Sequence, residues 1–103
     1  MSHLTCRWHV TPATNVQSVL SCGLLPSLAR GSLKAVWLVS RCRLTWAVRH
    51  VRKRHGVAEV AVISVRVDRA SLIRRRRGVW STATLISPSQ IVSVRPPAFV
   101  GAA

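Results

Sequence analysis

Acidic residues are nearly absent: Glu59 and Asp68 are the only carboxylates in 103 residues, against 16 Lys and Arg. Basic clusters therefore have almost nothing within the chain to neutralise them. Cysteine is scarce and badly spaced for pairing. Cys6, Cys22 and Cys42 form no CxxC, and no HxxxH accompanies them, so neither a zinc site nor a disulfide framework is supported. Buried free thiols in a reducing compartment are expected. A glycine-rich phosphate loop is missing, and so is any internal repeat. Ser71, Ser81 and Ser87 have no His and Asp partners readable from the sequence, which leaves serine hydrolase chemistry without support. Residues 8–29 carry no charge, yet Pro12, Asn15, Gln17, Gly23 and Pro26 interrupt them, so they cannot make a spanning helix. The N-terminus also lacks the basic-then-apolar layout of a secretory signal. A cytoplasmic protein without a membrane or metal partner is the expectation.

What is present is cationic and foldable. The net charge is +14 and only Lys34 and Lys53 are lysine, so the positive charge is almost entirely guanidinium. Guanidinium grips phosphate bidentately, and such a surface attracts polyanions whatever their sequence, nucleic acid above all. GC-rich coding produces the same composition without removing that attraction. Apolar residues make up 49% of the chain, enough for a modest core in one domain over residues 1–95, with 96–103 as a tail.

Residues 3–9 alternate as a strand. Thr11 suits an N-cap and Pro12 a first helical position, with Val16, Val19 and Leu20 forming an apolar stripe before Gly23, which predicts a helix over 12–22. Lys34–Val39 reads as a buried strand. A second helix runs from about Arg41 to His55, with Leu44, Ala47, Val48 and Val51 inward and Arg43, Arg49, Arg52 and Arg54 outward. Glu59–Val67 is the longest strand, and Asp68 caps a short turn after it. The run Arg74–Arg77 reads as a loop before a strand from Gly78 to about Ile86. Ser87-Pro88-Ser89 opens a one-turn helix, and Gln90–Val94 is a last strand. The order β-α-β-α-β-β-β points to an α+β fold. Trp37 and Trp80 are expected in the core; Trp8 and Trp46 are open, since either could face a ligand from the solvent side, where stacking on a base is worth about 1–3 kcal/mol.

One segment stands out. Trp8-His9-Val10-Thr11, followed by Val19-Leu20-Ser21-Cys22-Gly23-Leu24-Leu25-Pro26, places an imidazole and a hydroxyl where a strand meets a helix N-terminus. Ligands with hydroxyls or phosphates are held at such junctions. Together with Val36-Trp37-Leu38-Val39-Ser40, Val60–Asp68, Gly78-Val79-Trp80 and Pro88-Ser89-Gln90-Ile91, the segment resembles the ADP-ribosyltransferase superfamily. The likeness is closest to the RNA 2'-phosphotransferase branch and runs from about Trp8 to Val94. No part of these residues matches the N-terminal lobe of that branch.

The resemblance implies a small split sheet with two helices near the N-terminus, and NAD bound between the sheet halves. His9 would bond a ribose hydroxyl, Thr11 would support that pocket, and Trp37 would pack against the nicotinamide. Val79 occupies the position of the Glu found in many transferases, and an apolar residue there suits the phosphotransferase branch. Arg49, with Arg74, Arg75, Arg76 and Arg77, would hold substrate phosphates, and Arg52 and Arg54 would extend the track. The expectation is an NAD-dependent transferase of ADP-ribosyl type acting on a nucleic-acid phosphate, RNA rather than DNA. The alternative is a basic nucleic-acid-binding domain without catalysis on the same scaffold. A protein-modifying effector is disfavoured by the missing Glu, because Ser or Arg acceptors need help losing a proton.

Overall fold

The computed structural model describes residues 3–29 and 33–96. In chain order the elements are β1 (Leu4–Pro12), α1 (Val16–Cys22), β2 (Val36–Val39), α2 (Leu44–His55), β3 (Val60–Asp68), β4 (Ile73–Arg76), β5 (Val79–Thr82) and β6 (Ile91–Arg95). Among the described residues the strands make one six-stranded sheet, β4-β5-β2-β1-β3-β6, with every neighbouring pair antiparallel. With its two helices, this is an α+β fold.

β3 shows why the sheet is covered on both sides. From Val60 to Ile63 its apolar residues are buried at successive positions, as a stretch covered on both faces requires. Beyond that only Val65 and Val67, on one face, stay buried while Arg66 is exposed. Val60 and Val62 join Val10, Val39, Leu44, Ala47 and Val48 under α2. Ile63, Val65 and Val67 join Val19, Leu24, Val36, Leu38 and Ile86 under α1. Leu38, Ile63 and Val65 are fully excluded from solvent, and burying each stabilises the fold by roughly 1.5–3 kcal/mol.

Several local expectations shift. The strand predicted to stop at His9 continues to Pro12, because β1 stays in register with β3 as far as Pro12↔Val60 and the Ala13 N–H then bonds the Glu59 carbonyl at 3.0 Å. Thr11 is thus a buried strand residue and not an N-cap, and a 3-10 turn at Ala13–Asn15 precedes the short helix. The arginine run is not a loop: Ile73–Arg76 forms an edge strand paired with β5 through a turn at Arg77-Gly78. Arginine side chains are solvated on such an edge and blunt it against further pairing. All three cysteines are exposed, contrary to the expected buried thiols, since they lie on β1, at the end of α1 and in the turn before α2. Trp37 also leaves the expected core and is 42% exposed. Trp80 is half-buried beneath the Arg7 guanidinium, 4.0 Å from its ring centroid.

Gly23 ends α1 at φ 84° and ψ −169°, a conformation open essentially to glycine alone. A Cβ there would run into the Ile86 carbonyl. This close approach allows reciprocal Leu24–Ile86 backbone bonds of 2.8 and 3.2 Å, which tie the helix end to the segment between β5 and β6.

Candidate functional site

β1 and β2 are neighbours that register at a single pair, Trp8↔Val39. On its other side β1 matches β3 over nine pairs. The sheet is therefore two three-stranded halves joined at one point, and past that point the strands part. The gap is a cleft of about 750 Å³. Trp8 to Pro12 line it from β1, and Val36, Trp37 and Val39 from β2. Ser18, Val19 and the Leu24–Ala29 segment close one side, and α2 closes the other.

His9 spans the gap. Its Nδ1 lies 2.8 Å from the Trp37 carbonyl oxygen. A carbonyl can only accept, so Nδ1 carries the proton and donates. This side-chain bond stands where the parted strands have no ladder. The ring keeps some surface open to the cleft, yet the surrounding walls displace water. Burial is the largest influence and pushes its pKa below the ordinary imidazole value; the Trp37 carbonyl pulls the other way, and nearby His55 adds to the lowering. A ring neutral at pH 7 and protonated on Nδ1 presents Nε2 as an acceptor for a ligand hydroxyl or N–H. Thr11 is buried, and its Oγ1 accepts a 3.1 Å bond from Asn15 Nδ2, holding that amide at the cleft wall.

The basic rim is built on a register slip. The β4–β5 pairing shifts between Arg74 and Arg76, so the consecutive Arg75 and Arg76 both line the cleft. Arg75 Nε donates to the buried Ser81 Oγ at 2.8 Å, and its guanidinium stands 5.8 Å from the Trp37 ring centroid. The Arg76 guanidinium stands 5.7 Å from the Trp46 ring. Trp46 in turn stacks on His50, with centroids 5.2 Å apart and planes 17° from parallel. Among the described residues no carboxylate lines this cleft.

No protein-family model and no curated protein matches the chain.

Of the residues singled out from the sequence, His9, Thr11, Trp37, Val79, Arg54, Arg75 and Arg76 meet in the cleft. Four do not. Arg49 is exposed on α2 but off the stripe Trp46, Ala47, His50, Val51, Arg54 and His55 that faces the cleft. Arg52 Nε donates to the Ala58 carbonyl at 2.9 Å on another side of the helix. Arg74 pairs with Trp80 and faces away, and the Arg77 carbonyl accepts a 3.1 Å bond from Arg43 Nε in the turn. Sequence reasoning left Trp46 open as a ligand-facing ring but passed over its stacking on His50, and it passed over Ser81 as a site residue. The first had a readable signal, since positions four apart on a helix share a face. Ser81 had none, because its partner Arg75 is set by strand register. Among the described residues no helix is long and apolar enough to cross a membrane, and no group of three His, Cys, Asp or Glu is placed to hold a metal.

Proposed function

We propose that this chain is a minimal NAD-binding domain of ADP-ribosyltransferase type whose acceptor is a nucleic-acid phosphate, RNA rather than DNA. The observation that carries the reading is His9: a ring bonded across parted strands, at an open cleft, with Nε2 left as acceptor. The sheet's two halves and its two helices suit the split-sheet scaffold that the motif resemblance implies. At about 750 Å³ the cleft falls within the range of small-molecule and cofactor sites. His9 would take a ribose hydroxyl, with Thr11 and Asn15 shaping the wall beside it and Trp37 offering an exposed ring.

NAD, when bound, supplies an ADP-ribosyl group with nicotinamide as leaving group. The chain's own contribution is limited by what it lacks. Val79 is buried where many transferases carry Glu, Asp68 caps the Ala70 N–H, and Glu59 is exposed away from the cleft. No carboxylate is available to deprotonate an acceptor, so an acceptor already anionic is favoured, and Arg54, Arg75 and Arg76 can hold a phosphate at the mouth. The same shortage of carboxylates favours a second reading, a nucleic-acid-binding domain that does not turn NAD over.

Thermal shift with NAD tests the first reading. A ligand at a hundred times its Kd adds about 2.7 kcal/mol, several degrees for a domain this small. The shift should vanish in His9→Ala, and NAD should be consumed with RNA bearing a 2' or terminal phosphate. Absence of both the shift and turnover removes the NAD reading. A shift without turnover leaves a binding domain.

A further inference from the structure

Trp37 and Trp46 are the two most exposed indoles, at 42% and 38%, and each has an arginine above it on the same cleft. The two arginines are held differently. Arg75 is anchored through Nε to Ser81 Oγ, a fully buried hydroxyl, so its guanidinium is fixed and its two Nη groups are the donors it can offer. No hydrogen bond among the described residues holds the Arg76 side chain, and the residue is exposed. Spacing matters as well. Arg7 lies 4.0 Å from the Trp80 ring, a closed stack, whereas Arg76 stands off Trp46 by 5.7 Å. A base between a ring and a guanidinium needs about 7 Å, twice the stacking distance of about 3.4 Å. A small swing of an untethered side chain supplies the difference. His50, stacked on Trp46, holds the indole's orientation.

We infer that this rim is a subsite for one unpaired nucleotide, its base sandwiched between Trp46 and Arg76 and its phosphate held by the Nη groups of Arg75. Both parts of the ligand are needed to explain both parts of the rim. A phosphate alone leaves the indole unused, and the carboxylate side chains of an acidic peptide carry no ring to fill the gap. A paired base shows neither face, so the subsite selects single-stranded segments over duplex. The inference rests on the reading of the acceptor as nucleic acid, and it is independent of NAD binding.

Anisotropy titrations without NAD, in about 100 mM salt, compare a labelled single-stranded oligonucleotide with a blunt duplex of the same length. The single strand should bind about tenfold more tightly. Trp46→Ala should abolish that preference while leaving duplex affinity nearly unchanged, and Trp46→Phe should keep most of it. Arg76→Gln should weaken single-strand binding severalfold more than Arg74→Gln, which removes the same charge from the opposite face. This pair of exposed substitutions keeps the test sound even if Trp46→Ala fails to fold. Equal affinity for both forms, or equal effects of the two arginine variants, overturns the subsite. Binding to neither form overturns it together with the nucleic-acid half of the proposed function. A surviving single-strand preference without an NAD shift overturns only the NAD half.

Discussion

His9 uses one ring nitrogen to tie β1 to β2 and keeps the other for the cleft. The tie has a consequence for stability. Burial lowers its folded-state pKa, while the unfolded chain keeps the ordinary value of about 6.5. As pH falls, the unfolded state therefore takes up the proton first. The contribution of the neutral ring is complete above about pH 6.5 and is lost progressively as pH drops toward the folded pKa. Urea midpoints should decline between about pH 7.5 and pH 5, and the decline should be shallower in His9→Gln. Parallel pH profiles for the two proteins would refute the assignment. The imidazole and its neighbour Thr11 were visible in the sequence as an aromatic-His-x-Thr element. The bond to the Trp37 carbonyl was not, because it joins residues 28 apart in the chain.

Element boundaries were decided by pairing as much as by local preference. Thr11 and Pro12 have the chemistry of a helix start, yet the β1–β3 ladder holds both in the strand and delays α1 to Val16. Arginines have no marked strand preference, and β4 exists because β5 offers it an edge. Two glycines mark where conformation alone sets an end. Gly56 closes α2 at φ 63° with open space around the missing Cβ, so Gly56→Ala should cost only the left-handed backbone penalty, about 1 kcal/mol. Gly23→Ala adds a collision with the Ile86 carbonyl and should cost at least about 3 kcal/mol, because the Leu24–Ile86 tie must open. Denaturant midpoints of the two variants check this ordering. Similar losses would mean that the end of α1 is less firmly seated than its geometry implies.

On the scale of the whole molecule, a charge of +14 on 103 residues acts in two opposite ways. Self-repulsion opposes the compact state, and only two carboxylates relieve it. Raising salt from about 20 to about 200 mM should therefore raise Tm as screening sets in. The same change should weaken nucleic-acid binding, by about 10⁴- to 10⁵-fold if about six phosphates are neutralised. Thermal melts and binding titrations over one salt series would show the two trends diverging. A Tm that falls with salt would mean that attractive pairs outweigh the repulsion.

Composition alone determined the sign and size of the chain's own charge, since neither fold nor register can change a count of sixteen against two. Periodicity determined the helices and the long apolar strand, because burial repeats every two or about four residues wherever an element meets a core. Tertiary structure decided where the sheet parts, which arginines face the opening and how the histidine is protonated. Those depend on registers between distant strands: the single Trp8↔Val39 pair opens the cleft, and one slip between Arg74 and Arg76 turns two of four adjacent arginines toward it. A one-residue change in pairing carries a side chain to the other face of a sheet, and local sequence does not encode it.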